Sequence, residues 1–428
     1  MKIAIIGAGA AGLAALRRVL EASTEALPIE AVVYEKTGKI GGTWVYVPET
    51  GKDEYGLPVH SSMYDSLRTN LPKEVMGYPG YPIPENSEKR SYLTRTEILA
   101  FLESFAEHFK LREHIHLYHN VELVEPVGGT SEWKVRVRDL KGDRSLDVRF
   151  DAVMVCSGHY FEPAIPVIKG ADKFKGETLH SHDYRRPEHF AGKRVVVVGA
   201  GPSGMDLALE ISRKATSVIL SHHSTEEILT QFPANVSQKP DIVEMTVNAV
   251  KFADETEAEV DAIFYCTGYK YSFPFLSRAA GVRVDDNMVA PLWKQVISIA
   301  NPTMALIGLP FYVCAFSMFD LQARFVLKFW TNKAQLPERS VMLADHEKEK
   351  KDRFEVRGWS KRQFHMMGPL QGEYYDDLAR TAGVEGLPPV LIKIHNVSSK
   401  RFLDDLVHYR GDRFEIIDSD NFTSTVAQ

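Results

Sequence analysis

A short stretch near the middle of the chain, FKGETLHSHDY, places several side chains that could do chemistry close together. His180, His182, Asp183 and Tyr184 all lie within five residues. Imidazole, carboxylate and phenol groups commonly transfer protons, and histidine and aspartate also bind zinc. A zinc site needs further ligands at a suitable spacing, and the neighbouring sequence offers none. The elements on either side must therefore decide what this stretch does.

A glycine-rich turn stands at the start of the chain. The apolar run KIAII leads into Gly7, Gly9 and Gly12, and a second apolar run ends at Glu35. In a strand–turn–helix unit the first glycine permits the turn, the second admits a pyrophosphate, and the third lets the helix pack on the strand. The helix N-terminus attracts phosphate, and the acid accepts hydrogen bonds from a ribose diol. This order of residues predicts a dinucleotide site.

The same pattern recurs after the central stretch. The run KRVVVV leads into Gly199, Gly201 and Gly204, with Ser203 inside the turn, and a second helical pattern follows. We expect these four residues to bind the phosphates of a second dinucleotide.

The end of the next strand distinguishes the second unit from the first. The run SVILS ends at Ser221, which His222 and His223 follow, and no acid stands there. An acid would repel a 2′-phosphate, so its absence favours NADP over NAD. Ser221 and His222 are therefore predicted to contact the nucleotide. Arg213 or Lys214 could supply the positive charge that an arginine after this strand would otherwise provide.

Two further strand patterns predict how the units are connected. DAVMVCSGH reaches Gly158 before the second turn, and DAIFYCTGY reaches Gly268 after it. Such paired strand ends indicate one domain inserted into another. We predict an α/β fold with two nested Rossmann-like dinucleotide-binding domains. The expected bounds are 1–160 for the first part of the outer domain, 161–268 for the inserted domain, and 269–428 for the remainder with C-terminal helices.

With these elements in place, the central stretch resembles the signature of the class B flavin monooxygenases. Phe174, Gly176, His180 and Tyr184 match Phe-x-Gly-x-x-x-His-x-x-x-Tyr/Phe, between the two turns where that family places it. The resemblance covers essentially the whole chain and is most like the soluble insect pyrrolizidine alkaloid N-oxygenases, the senecionine N-oxygenase type. It implies that the stretch shapes the nicotinamide site and is not a catalytic base.

The resemblance also implies cofactors and a reaction. FAD is expected at the first turn and NADP at the second. NADPH would reduce FAD, dioxygen would add to form a C4a-hydroperoxyflavin, and a tertiary amine, such as a pyrrolizidine alkaloid, would become an N-oxide. One alternative is a Baeyer–Villiger monooxygenase acting on ketones, although Tyr184 stands where that signature usually has tryptophan. Another is an NADPH-dependent flavoprotein reductase, although no redox cysteine pair is present.

Two loops are expected to contact these cofactors. In GGTW, which follows the acidic strand, Gly42 and Trp44 must pass close to the first cofactor. In RTNLP, Thr69 and Asn70 match the family motif whose asparagine lies between flavin and NADP, and Asn70 is the predicted catalytic residue. An amide can donate and accept hydrogen bonds without titrating.

Composition limits the partners and the location. The net charge is -6 with no basic block, which argues against nucleic acid and leaves a small amine and dioxygen as partners. Residues 295–319 are uncharged, but Pro302 and Pro310 interrupt them, so a buried segment is expected and no membrane anchor. A cytoplasmic protein, or a secreted one whose signal peptide was removed, fits equally, and a homo-oligomer is open. The mixed charges of 345–353 predict a solvated helix face.

Overall fold

Two β-sheets, each built around one glycine-rich turn, organise the chain. The computed structural model describes residues 1–223 and 228–427. Its strands are β1 (Lys2–Ile6), β2 (Glu30–Glu35), β3 (Ile115–Leu117), β4 (His119–Pro126), β5 (Trp133–Asp139), β6 (Arg144–Phe150), β7 (Ala152–Val155), β8 (Glu162–Pro163), β9 (Glu177–His180), β10 (Arg194–Val198), β11 (Ser217–Ser221), β12 (Val236–Lys239), β13 (Ile242–Met245), β14 (Ala249–Phe252), β15 (Glu257–Glu259), β16 (Ala262–Tyr265), β17 (Tyr269–Lys270), β18 (Arg283–Asp285), β19 (Met288–Ala290), β20 (Leu292–Trp293), β21 (Ile297–Ser298), β22 (Met304–Leu306), β23 (Arg413–Ile416) and β24 (Phe422–Thr425). Its α-helices are α1 (Ala10–Ala22), α2 (Arg95–His108), α3 (Pro202–Ile211), α4 (Ala315–Trp330), α5 (Arg339–Lys351), α6 (Gln371–Ala382) and α7 (Pro389–Asp404).

The first sheet takes its strands from both ends of the chain. Its order is β20-β21-β22-β7-β1-β2-β3, and the five strands from β22 to β3 are parallel. Residues Ile3, Ala4 and Ile5 are completely buried, because a central parallel strand is covered on both faces. Helix α1 covers one face of this sheet, and α4 packs against α1.

All the strands of the second sheet lie, in sequence, between two strands of the first, β7 and β20. Its order is β12-β11-β10-β16-β9, and all its pairs are parallel. Helix α3 packs on it as α1 packs on the first sheet. The fold is therefore α/β with two dinucleotide-binding units, one nested in the other, as the sequence predicted.

The two chain crossings between the sheets pair with each other. Strand β8, on the way into the second sheet, pairs antiparallel with β17, on the way out, and Lys270 lies opposite Glu162. These crossings lie beside positions 161 and 268, which we propose as the bounds of the inserted domain.

The remaining elements support the two sheets. Antiparallel sheets β4-β5-β6 and β13-β14-β15 accompany the first and second units respectively. A buried ion pair joins α1 to α4, since Arg18 binds both carboxylate oxygens of Asp320 at 2.6 and 3.0 Å. The uncharged segment 295–319 forms β21, β22 and the start of α4, as expected for a buried segment. Among the described residues, no helix combines the length and apolarity that crossing a membrane requires.

Candidate active site

The first glycine-rich turn joins β1 to α1 by a close approach of backbone to backbone. Gly7 has φ +99°, and a Cβ there would lie 2.6 Å from the Cys156 carbonyl oxygen. A Cβ on Gly12 would lie 1.9 Å from the Gly7 carbonyl oxygen. Gly9 differs, since its nearest neighbour would be the Gly42 Cα at 3.4 Å. Gly7 and Gly12 therefore serve the fold, while Gly9 leaves room beside the start of α1.

Glu35, the acid at the end of β2, is held against this turn by hydrogen bonds. Glu35 is 5% exposed; its Oε2 accepts from the Ala8 amide at 2.9 Å and its Oε1 from the Thr37 amide at 2.9 Å. The loop that follows is also attached, because the Gly41 amide donates to the Ala8 carbonyl at 2.9 Å. The structure thus brings Glu35 and Gly42 to the first turn.

Trp44 lies at the end of the loop that approaches the first glycine-rich turn. It ends the short turn Gly42–Trp44, and its ring contacts Phe316 of α4 edge-on, with centroids 6.4 Å apart. The Trp44 side chain therefore links the first turn to the returning part of the chain.

The second glycine-rich turn repeats the geometry of the first. Gly199 has φ +103° and would place a Cβ 2.7 Å from the Cys266 carbonyl oxygen, while a Cβ on Gly204 would lie 1.8 Å from the Gly199 carbonyl oxygen. A Cβ on Gly201 would meet no atom within 4 Å. Ser203 is exposed in the first turn of α3.

Both turns have the properties that a dinucleotide requires. Neither α1 nor α3 has a side-chain cap at its N-terminus, so the first amides of each helix remain available to an anion. Gly9 and Gly201 stand at these N-termini with space beyond them, where a larger side chain would fill the approach. The residues present therefore fit a bound pyrophosphate in each unit.

The strand register shows which residue of the second unit corresponds to Glu35. The Gly7 amide donates to the carbonyl of Tyr34, and the Gly199 amide donates to that of Ser221, each at 2.8 Å. Tyr34 thus corresponds to Ser221, and Glu35 corresponds to His222. Sequence reasoning named both Ser221 and His222, but only the register distinguishes them.

The side chains of this segment have different partners. Ser221 is fully buried and its hydroxyl donates to the Pro240 carbonyl at 2.8 Å. His222 Nε2 lies 3.0 Å from Gln238 Oε1, and His223 lies 3.1 Å from the Asp241 carboxylate. Of these, His222 occupies the position in the second unit that Glu35 occupies in the first.

Arg213 and Lys214 lie too far away to replace an arginine after β11. They follow the C-terminus of α3, and the Lys214 carbonyl accepts from the Gly192 amide just before β10. A helix of ten residues is about 15 Å long, so Arg213 and Lys214 lie near the amino ends of the parallel strands, whereas the α3 N-terminus lies at their carboxyl ends. The suggestion that they could compensate is wrong for this reason.

The central stretch is held by internal contacts. The Phe174 ring packs where a Cβ on Gly176 would stand, 2.3 Å from that position. His180 Nδ1 accepts from the His182 amide at 3.1 Å, and its Nε2 donates to the Gly268 carbonyl at 3.1 Å. Tyr184 donates to Glu210 of α3 at 2.7 Å.

These contacts bear on the reactivity of His180. Burial lowers the pKa of His180 to about 4, so it is neutral near pH 7 and both ring nitrogens are already engaged. This arrangement supports a structural role at the junction, by which we mean the region where the chain passes between the two sheets. There the His180 ring joins β9 to the chain that leaves the second sheet.

The loop with the predicted catalytic asparagine is anchored on its N-terminal side. Thr69 is 2% exposed; its amide donates to the Leu93 carbonyl at 2.8 Å, and its hydroxyl accepts from the Leu93 amide at 3.1 Å. Asn70 follows directly and is exposed. Within residues 1–223 and 228–427, its side-chain amide makes no hydrogen bond and is available to a ligand.

Two tyrosines at the junction were missed by sequence reasoning. Tyr160 and Tyr269 follow Gly158 and Gly268 at the carboxyl ends of β7 and β16, and their ring centroids lie 5.6 Å apart. Burial raises the pKa of Tyr269 to about 12. The repeated order of strand, glycine and aromatic residue was the available signal.

Comparison with known proteins identifies the family of this chain. The family model described as flavin-binding monooxygenase-like matches residues 1–235 and 227–398. Senecionine N-oxygenase from Tyria jacobaeae is 35% identical over 98% of this chain and 91% of its own length. The flavin-containing monooxygenase GS-OX5 of Arabidopsis thaliana is 38% identical over 90% of this chain and 85% of its own length.

Solved structures agree with this family. S-allyl-L-cysteine S-oxygenase from Allium sativum superposes with a TM-score of 0.88 at 33% identity, over 96% of this chain and 94% of that one. OTEMO, solved in complex with FAD and NADP, shares the fold at 15% identity with a TM-score of 0.60, over 89% of this chain and 97% of that one. Two glycine-rich turns, the junction between them and these matches lead to one conclusion: the chain belongs to the flavin-binding monooxygenase family and is a flavoprotein monooxygenase.

Proposed function

We propose that the protein N-oxygenates tertiary amines with FAD bound at the first turn and NADP at the second. The observation that carries the placement of the two cofactors is the pair of uncapped helix N-termini, at which a Cβ on Gly9 or Gly201 would clash with nothing. Glu35 would accept hydrogen bonds from the ribose of FAD, and His222 stands where an acid would oppose a 2′-phosphate.

The cofactors and the residues at the junction would have different roles in the reaction. When bound, the nicotinamide supplies a hydride, and the reduced flavin activates dioxygen. Asn70 offers an exposed amide that can donate to one group and accept from another without changing charge. Tyr269 and Tyr160 pack their rings against each other where the chain crosses between the sheets, and this aromatic surface would help to keep water from the flavin and so limit the release of peroxide.

The choice of an amine as substrate rests on the relative named senecionine N-oxygenase, which matches nearly the whole chain. A pyrrolizidine alkaloid is therefore the first compound to test. A second candidate is S-oxygenation, since the garlic enzyme of similar structure is an S-oxygenase. Amines and sulfides are both soft nucleophiles that accept one oxygen atom, and the same site would serve either.

The experiment compares the two substrate classes on one preparation. Purified protein with FAD, NADPH and dioxygen is given senecionine or S-allyl-L-cysteine, and products are identified by mass spectrometry. We expect the N-oxide to form with a higher kcat/KM than the sulfoxide. A preference for the sulfide would select the second candidate.

Two further assays separate the other reaction classes. An ester formed from a cyclic ketone would indicate Baeyer–Villiger chemistry. Oxidation of NADPH by an artificial acceptor, with no oxygenated product from any substrate, would indicate a reductase and refute both oxygenation proposals.

A further inference from the structure

An arginine from the C-terminal segment joins the two dinucleotide units. Asp206 lies in α3, two residues after Gly204, and is 9% exposed. Arg410 donates to its two carboxylate oxygens at 2.5 and 3.1 Å, and the Tyr64 hydroxyl donates to it as well. One carboxylate of the second unit is thus bound by side chains from two segments outside that unit.

The same guanidinium also binds the loop that ends at Asn70. Arg410 Nε donates to the Thr69 carbonyl at 3.1 Å, and its Nη2 donates to the Arg68 carbonyl at 3.2 Å. The Thr69 carbonyl belongs to the peptide bond with Asn70. We use the name junction clamp for Arg410 together with Asp206 and the carbonyls of Arg68 and Thr69.

The next acid of α3 reinforces this attachment. Glu210, one helical turn after Asp206, accepts from the Ser66 hydroxyl at 2.5 Å and from the Tyr184 hydroxyl at 2.7 Å. Segment 64–70 is therefore attached to α3 through both acids. The contacts on this face run from the Asn70 loop to the helix that would bind the pyrophosphate of NADP.

The geometry of the junction clamp suits a guanidinium and no other side chain. Its planar fork presents donors in fixed directions, so it can bind a carboxylate and two carbonyls at once. A lysine ammonium is a point charge and cannot reproduce that pattern. The side chains of Arg410 and Asp206 are 18% and 11% exposed, so water replaces few of these bonds.

We propose that Arg410 is a positioning residue that sets the relative placement of the Asn70 loop and α3, and thereby of the two cofactors. The inference rests on the proposed function, in which hydride passes between groups bound by the two units. A displacement of about 1 Å at a reacting centre can cost about 100-fold in rate, so a contact that fixes this spacing affects catalysis directly.

A second ion pair of the same kind provides the matched control. Arg18 binds Asp320 with two bonds in a buried setting, but it joins α1 to α4 within the outer unit. Arg18→Lys tests the loss of a buried bidentate pair, and Arg410→Lys tests the loss of one that crosses the junction. Asp206→Asn removes the charge from the clamp with little change in shape.

The main measurement is stopped-flow reduction of FAD by NADPH in the holoenzyme. For Arg410→Lys and Asp206→Asn we expect reduction slower by about 100-fold, with more peroxide released per NADPH. For Arg18→Lys we expect a lower thermal unfolding temperature with the rate within about twofold of the original, because a buried pair is lost away from the junction. Guanidinium ion at low millimolar concentration should partly restore the rate in Arg410→Ala and not in Arg410→Lys.

A measurement without cofactors tests the clamp itself. In protein stripped of FAD, hydrogen exchange of the amides at 68–71 and 206–210 should be about tenfold faster in Arg410→Lys than in Arg18→Lys, since charge-assisted hydrogen bonds are lost. Equal exchange in the two variants, or an unchanged rate of flavin reduction in Arg410→Lys, would overturn the proposal. If the unaltered protein fails to reduce FAD, the proposed function fails instead, and the exchange result still decides whether the clamp holds the loop. If Arg410→Lys does not fold, Asp206→Asn carries both measurements.

Discussion

The two glycine-rich turns have nearly the same backbone and different surroundings. Gly7 and Gly199 share a positive φ of +99° and +103°, and a Cβ on Gly12 or Gly204 would lie 1.9 or 1.8 Å from the preceding turn. In both units a cysteine carbonyl occupies the space where the first glycine would carry a Cβ. The strand–turn–helix unit therefore specifies a phosphate site without specifying which nucleotide binds there.

The difference lies in what stands next to each turn. Gly9 is faced by Gly42 at 3.4 Å, whereas Gly201 faces open space. Glu35 is buried with both oxygens engaged, whereas its counterpart His222 is partly exposed. The first turn thus has a close backbone neighbour and a buried acid that the second lacks, which fits the proposal that the first binds a resident cofactor and the second a nucleotide that enters and leaves.

The largest expected effect tests the shared backbone. Gly12→Ala and Gly204→Ala each place a Cβ within 2 Å of a carbonyl oxygen. We expect both to lower the thermal unfolding temperature by roughly 6 °C or more. Gly201→Ala is the control, because its φ of -70° suits alanine and its Cβ meets nothing. If Gly204→Ala proved as stable as Gly201→Ala, the close approach would have no structural role.

The next effect separates the two sites. Gly9→Val should yield folded protein with little FAD, since the side chain enters the space for the pyrophosphate. Gly201→Val should keep FAD, and NADPH should reduce it about 100-fold more slowly because the nucleotide is displaced. Flavin absorbance and anaerobic reduction measure the two outcomes. Two equally yellow variants that NADPH reduces normally would contradict the assignment of the sites.

A smaller effect concerns the loop between the sites. Asn70→Ala removes an exposed amide without disturbing Thr69, so FAD reduction should stay within about twofold while oxygen transfer falls about 100-fold, the usual cost of one positioned donor. Hydrogen peroxide released per NADPH should rise accordingly. Asn248→Ala, at an exposed position in the inserted unit, is the control. Unchanged coupling in Asn70→Ala would remove this residue from the mechanism.

The smallest effect sharpens the comparison of strand ends. His222→Glu gives the second unit the acid that Glu35 gives the first. The ratio of kcat/KM for NADPH to that for NADH should fall roughly 10- to 100-fold, because a charged hydrogen-bonding partner of a ribose diol is gained and a 2′-phosphate is repelled. Ser221→Ala should leave the ratio unchanged, since that hydroxyl is committed to Pro240. The opposite ranking of the two variants would refute the register argument.

Much of this architecture was predictable because it is local. The strand, glycine-rich turn, helix and second strand of each dinucleotide unit lie within about forty consecutive residues. The first and third glycines are required by contacts with the adjacent strand and turn. Their order therefore gave the nested α/β fold and the two turns. The loop with Gly42 follows the acidic strand directly, which predicted its approach to the first cofactor, and the structure brings Gly42 beside Gly9.

What could not be predicted depends on partners distant in sequence. Arg410 meets Asp206 across 204 positions, and nothing around either residue indicates the other. The charged run 345–353 shows the same limit, since Arg353 is 4% exposed and binds Glu349 and the Met366 carbonyl. The expected solvated face is present on α5, where Lys348 and Lys351 are exposed, but mixed charge does not reveal that Arg353 faces the protein.

The cysteines beside the two turns have a consequence for durability under oxidation. Cys156 and Cys266 contribute backbone carbonyls to the glycine contacts, so their side chains can remain small and buried; Cys314 is buried as well. Burial raises the pKa of all three thiols, which keeps them from forming the thiolate that peroxide attacks. An enzyme that activates dioxygen makes hydrogen peroxide whenever oxygen transfer fails. This protein would retain its thiols in the presence of its own by-product.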